Sequence, residues 1–321
     1  MTVACILTAS VAWQWQWQRT LPLERVVIAD SAQPMSTLLY VALEKGYFRE
    51  QGLQITLQNN VSGKAALASV IDGQADIATA ANTPLVTAIL AGKHVYVVAS
   101  MHNTDKNVSI VARKNSDITD STSLRGKRIA FTPATDSAFF LNAYLITHQM
   151  SASDVSMVAL EPPKLIDALV NGSVDAVSTW TSNRLMLQKM LLNQVVILNS
   201  PGLYTDHWNL VTKQEFARFR PATICQLLRA IIKAEAYVKQ NPGDAVRIAA
   251  AHLKLDPVVL TALWPDLNFQ VGLDQVLLIS LESQAKIISR DHPTFPANGI
   301  LDSIYIDAMQ AIDPARMTVI H

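Results

Sequence analysis

Val61-Ser62-Gly63-Lys64 is the stretch of this chain that comes nearest to a phosphate-handling motif, and it fails as one. A P-loop needs a first glycine for its tight turn and a serine or threonine after the lysine to reach magnesium. Gln58 and Ala65 stand in those places. The seven histidines, among them His94, His102, His148 and His207, contain no H-x-x-x-H pair that would set two imidazoles on one helix face for a metal. No G-x-S-x-G elbow presents a serine, and Cys225 lies in an apolar helical stretch where a buried, inert thiol is expected. Glu161-Pro162-Pro163 reads as a rigid turn rather than an acid catalyst. The residues therefore predict no catalytic group, no metal site and no cofactor, hence no enzyme.

The composition narrows the class further. A chain of 321 residues with half of them hydrophobic and 16% charged can bury a large core, and its length suits two lobes of ordinary size. Lysine plus arginine equals aspartate plus glutamate, 26 each, which argues against nucleic acid or an anionic membrane surface as the main partner. Cys5 and Cys225 are too far apart and too differently placed to predict a structural disulfide.

Short β-rich runs alternate with helix-length segments from Arg25 onward, the pattern of layered α/β structure. Strands are predicted at 26–29, 53–58, 77–79 and 95–100, with helices at 38–47, 64–71 and 84–91 between them. A second group repeats the order: strands at 129–131, 155–160, 176–180 and 195–198, helices at 137–148 and 165–170. Segment 106–123, turn-rich in its second half, reads as a connector between the groups. Ala68 to Ile77 can be set against Asp167 to Ala176, matching Gly73 to Gly172 and Asp76 to Asp175. Both stretches read helix, Asx-Gly, two residues, aspartate, strand, with the aspartates expected to organise the turn.

Beyond Asp206 a strand at 208–212 is followed by helices at 223–239, 242–252, 257–264 and 273–290. Leu227, Leu228, Ile231, Ile232 and Ala234 fall mostly at helical spacing, so this tail should pack on a lobe. If 208–212 rejoins the first sheet, the chain crosses between lobes twice and makes a hinge.

The stretch Leu43-Glu44-Lys45-Gly46-Tyr47-Phe48-Arg49-Glu50-Gln51-Gly52-Leu53 resembles the signature of the nitrate/sulfonate/taurine and thiamine-precursor (SsuA/THI5-like) solute-binding proteins of ABC importers. Further stretches agree in order: Asp72 to Ala78, Asn82-Thr83-Pro84, Leu124 to Ala130, Val174 to Trp180 and Ala234 to Pro242. Each is weak alone; their collinearity from Arg25 onward is specific. The resemblance implies an α/β fold of two Rossmann-like lobes joined by a two-crossover hinge, the type II periplasmic binding protein architecture. It divides the chain into lobe 1 (23–111 plus 206–321) and lobe 2 (112–205). The implied protein is a periplasmic or otherwise extracytoplasmic monomer, anchored to the membrane in some versions. It hands a small organic ligand (a sulfonate or taurine, a nitrate-like anion or a pyrimidine) to an ABC permease, and binds no nucleic acid.

Matching the loops residue by residue implies ligand contacts from Gln33 and Ser36 after the first strand, Ser62 and Gly63 before the second helix, and Asn82 and Thr83 before the third. In lobe 2 the implied contacts are Thr135, Asp136 and Ser137 at a helix start and Trp180 at a strand end, as an aromatic wall or else a core residue. Asp136 departs from the pattern, as does Ala134 where glycine is frequent. A helix start with bare N–H groups favours an anion, whereas a carboxylate there either caps its own helix or repels an anionic head and holds an amine. Two other readings share the scaffold: a sensory ligand-binding module, and an enzyme of the pyrimidine-synthase or menaquinone-pathway type, of which the pyrimidine synthase is disfavoured by the missing cysteine-rich motif. Residues 1–22 read as a signal or anchor remnant: Thr2 to Trp13 is nearly free of strong polarity, Ser10-Val11-Ala12 resembles a cleavage site, and Trp13, Trp15 and Trp17 suit a membrane interface.

Overall fold

The computed structural model describes residues 22–289 and 299–319. The signal or anchor expectation for the N-terminus therefore falls almost wholly outside the described residues. Eleven strands form two sheets among them: β1 (Glu24–Asp30), β2 (Leu53–Asn59), β3 (Ile77–Ala80), β4 (Val95–Thr104), β5 (Val108–Arg113), β6 (Arg128–Phe131), β7 (Ser156–Ala159), β8 (Ala176–Trp180), β9 (Val195–Leu198), β10 (Asp206–Lys213) and β11 (Asn268–Gly272). The first sheet runs β11-β4-β10-β3-β1-β2 and the second β7-β6-β8-β5-β9.

The two sheets share a plan. In each, three parallel strands (β2-β1-β3 and β7-β6-β8) are flanked by an antiparallel strand that arrives from the other lobe, β10 in the first and β5 in the second. The internal sequence match lies at one joint of this plan. Gly73 and Gly172 both take the left-handed conformation, φ 77° and 79°, which glycine adopts at little steric cost. Asp76 then exchanges two hydrogen bonds with Val27: its carboxylate accepts from the Val27 N–H at 2.8 Å and its own N–H donates to the Val27 carbonyl at 2.9 Å. Asp175 makes the same exchange with Arg128, at 2.9 Å in both directions. Each aspartate thus locks a helix–strand turn onto the middle strand of its parallel trio.

Segment 106–123 is not only a connector. Val108–Arg113 forms β5, because it is nearly all buried and pairs with both β8 and β9. Sheet membership consequently changes between Thr104 and Val108, a few residues before position 111, and again between Leu198 and Asp206. β10 pairs with β3 and β4, so the chain does cross twice. Along β5 the side chains of Ile110 and Ala112 join the apolar cluster on one face of the second sheet and Val111 joins the other, the two-residue alternation of a strand covered on both sides. The C-terminal helices pack on the first lobe: the Pro221–Gln240 helix buries Ile224, Leu227, Leu228 and Ile231 in a core shared with Leu38 and Val41 of the Thr37–Glu44 helix.

Candidate functional site

The loops that leave β1, β2 and β3 in the first lobe face those that leave β6 and β8 in the second, as the carboxyl ends of parallel strands do in open α/β sheets. Between them lies a small cavity of about 30 Å³. The lobes are closed on it. Lys64 Nζ donates to the Pro133 carbonyl across the cleft at 3.2 Å, and Ser182 Oγ donates to Gln33 Oε1 at 3.2 Å.

Six of the ten residues implied by the sequence line this cavity: Gln33, Ser62, Gly63, Thr135, Asp136 and Trp180. Ser62 also caps the Gly63–Ile71 helix, its hydroxyl accepting from the Ala65 N–H at 3.2 Å. Gly63 must be small: a Cβ there would sit 3.2 Å from Ala80 Cα and 3.4 Å from the Trp208 indole. The other four are not in its lining, although Thr83 also lies close enough to hydrogen-bond the Asp136 carboxylate. Ser36 donates to Asp30 Oδ1 at 2.5 Å and accepts from the Trp208 indole N–H at 2.8 Å. Ser137 accepts from the Thr132 N–H and donates to the Ser178 carbonyl, inside the second lobe. Asn82 donates to the Thr205 carbonyl and accepts from Asn209, and Thr83 donates to Gln284 at 3.0 Å.

Trp208, Ser31 and Lys64 also line the cavity. Lys64 could have been inferred from its place directly after Ser62-Gly63. Trp208 reads in sequence only as a strand residue; it reaches the site because β10 returns to the first sheet beside β3. Both loop turns also hold an alanine in the left-handed region, Ala32 at φ 51° and Ala134 at φ 56°, a conformation that disfavours side chains. The alanine that replaces a frequent glycine in the second lobe therefore keeps the glycine-like backbone.

Asp136 is the first residue of its helix, not the cap. Thr135 holds the cap position, and no side-chain capping bond forms there. The Asp136 carboxylate is buried; Oδ2 lies 3.5 Å from the Trp180 indole nitrogen, and Oδ1 has no hydrogen-bond partner. Burial pushes this acid up to about 6, while hydrogen bonding from Thr83 and Trp180 counters part of the shift. Asp206, at the second crossover, is also buried and accepts from Asn107 Nδ2 at 2.8 Å, with its Oδ1 unpartnered. Burial, and next the neighbouring charge of Asp136, raise it well above the usual carboxylate range. Among the described residues no group of histidines, cysteines and carboxylates is arranged to hold a metal ion.

The family model described as NMT1/THI5 like matches residues 33–245, more than half of the chain. The chain belongs to the NMT1/THI5-like family. Among curated relatives of this NMT1/THI5-like protein, a putative aliphatic sulfonates-binding protein of Bacillus subtilis (strain 168) is 27% identical over 242 residues, 74% of this chain and 71% of that protein. The taurine-binding periplasmic protein of Escherichia coli (strain K12) is 23% identical over 220 residues, 68% of this chain and 67% of that protein. The NMT1/THI5-like chain superposes on the alkanesulfonate-binding protein of Xanthomonas axonopodis pv. citri bound to MOPS with a TM-score of 0.77. That match has 19% identity and covers 89% of this chain and 99% of the other. The two-lobed fold is that of the periplasmic binding proteins, and these homologues are binding proteins rather than enzymes. No helix among the described residues is long and apolar enough to cross a membrane.

Proposed function

We propose that this chain is the solute-binding component of an ABC importer, working outside the cytoplasm as a monomer. It would take up one small organic molecule between its lobes and present the closed form to a membrane permease. The observation that carries this reading is the closed interlobe cavity, assembled from corresponding strand-end loops of two lobes with one plan. A ligand that bridges both walls stabilises the closed state over the open one by its differential contacts, and a permease can then read occupancy as shape. The names of the relatives make sulfonates and taurine candidate ligands; nitrate and pyrimidines follow from the motif resemblance. Among the described residues that line the cavity no nucleophile is paired with a base, which favours binding without turnover.

The test is a thermal-shift and calorimetric screen of the purified chain against taurine, alkanesulfonates, nitrate, formylaminopyrimidine and aromatic acids. One compound should bind at micromolar concentration or tighter and be recovered unchanged; chemical conversion of a hit would replace this reading with an enzymatic one. Trp180, half-buried at the end of β8 and lining the cavity, is proposed as an aromatic wall. Trp180→Ala should weaken binding of the hit roughly threefold to tenfold, as expected for loss of one aromatic contact, with the circular dichroism spectrum retained. Unchanged affinity would remove Trp180 from the site.

A further inference from the structure

The cavity lining holds one basic and one acidic side chain, and the two do not pair with each other. Lys64, the basic residue in its lining, is exposed and spends its ammonium on the Pro133 carbonyl. Asp136 in the same lining is buried, keeps one oxygen unpartnered, and has no salt-bridge partner among the described residues. Two indole rings, Trp180 and Trp208, line the same space, and the Trp208 N–H is already committed to Ser36. A buried carboxylate without a counter-ion is costly, and an aromatic face attracts a desolvated cation. Resting on the solute-binding reading above, we infer that the solute carries a cationic nitrogen, held by the Asp136 carboxylate against the Trp180 and Trp208 rings.

Asp206 strengthens the case. It is a second buried acid, at the crossover between the lobes, and its Oδ1 is likewise unpartnered. The solute class is then a small organic cation: an alkylammonium, a quaternary ammonium or a protonated heterocycle. This departs from the sulfonate head that the names of the relatives suggest. The lobe that supplies Asp136 and Trp180 is not the lobe that supplies Trp208, so the cation would also bridge the cleft and favour closure.

The experiment uses the full chain and two matched probes, choline and its uncharged carbon analogue 3,3-dimethyl-1-butanol, with isethionate and nitrate as amine-free anions. Choline should bind at least about tenfold more tightly than the neutral analogue, a ratio within the range of desolvated cation–π and carboxylate contacts. Asp136→Asn should erase that ratio. The comparison of choline with its analogue needs no variant, so it decides the matter even if Asp136→Asn folds poorly. Equal binding of choline and the analogue overturns the inference. Binding of isethionate or nitrate without choline overturns it too, yet leaves the importer reading standing. If neither these probes nor the compounds of the wider screen bind, both fall.

Discussion

Replacing Asp30 by alanine should cost the fold about 3–5 kcal/mol, the range for breaking a buried network by removing its charged member. Asp30 ends β1 with no exposure to solvent. Its Oδ1 accepts from Ser36 Oγ at 2.5 Å and Thr79 Oγ1 at 2.7 Å; its Oδ2 accepts from the Tyr40 hydroxyl at 2.6 Å and the Ala32 N–H at 3.0 Å. The Tyr40 hydroxyl is raised well above its ordinary value by burial and then by the Asp30 charge, so it remains a donor. Alanine would orphan three hydroxyls and a backbone N–H where water cannot enter, each costing about 1–3 kcal/mol if unrelieved. The same carboxylate fixes the turn through Ala32 and, by way of Ser36, the Trp208 indole, so the cavity wall should loosen with it. Asp30→Asn keeps one acceptor oxygen but turns an amide donor toward two other donors, and should lose about half as much. Urea unfolding of wild type and both variants measures this; a loss under about 1 kcal/mol for Asp30→Ala would mean the donors find other partners.

That network also marks where sequence stops being informative. The turns at Gly73 and Gly172 were legible because a left-handed glycine and an aspartate three residues later leave a short local signature, and the shared lobe plan could be read from it. Ser36 reads in sequence as a ligand contact of its loop; nothing local says that a carboxylate six residues back will capture it. The Trp208–Ser36 bond spans 172 positions and depends on the chain returning through β10. β5 was hidden for a different reason. A strand covered on both faces shows no polar alternation, and Val108–Arg113 runs straight into a polar turn. β11 does alternate, but over five residues between Pro265 and a helix, too briefly to stand out. At Asp136 the helix start was legible, whereas the choice between capping and facing the cleft depends on the opposite lobe and on where Trp180 points.

Substituting His102 by glutamine should change the pH dependence of stability more than stability itself. His102 lies in β4, buried, edge-on to Phe269 with ring centroids 5.5 Å apart, and its Nε2 has no partner. Burial, with the charge of nearby His207 second, pushes it from 6.5 down to about 3. Burial pushes His207 down to about 4, against the raising effects of Asp274 and the Thr205 backbone. Both rings are neutral in the folded chain at pH values where the unfolded chain binds a proton. Their contribution is complete above pH 6.5 and is lost as pH falls, at about 1.4 kcal/mol per pH unit for each ring. Asp136 and Asp206 act with the opposite sign. Their folded values are raised, so the native state binds protons that the unfolded state releases, and stability is gained as pH drops from about 6, the value for Asp136, toward 3.8. Between pH 6 and 4 the gain from the two acids opposes the loss from the two histidines. His102→Gln removes one loss, so relative to wild type it should be about 2 kcal/mol more stable at pH 5 than its own difference at pH 7 implies, 1.5 pH units below 6.5 at the slope above. Asp206→Asn should tilt the profile the other way. Urea midpoints at the two pH values for the three proteins give the comparison. An equal offset of His102→Gln at pH 5 and pH 7 would mean that the ring takes up its proton alike in both states, and that the compensation between the histidines and the acids at the crossover does not exist.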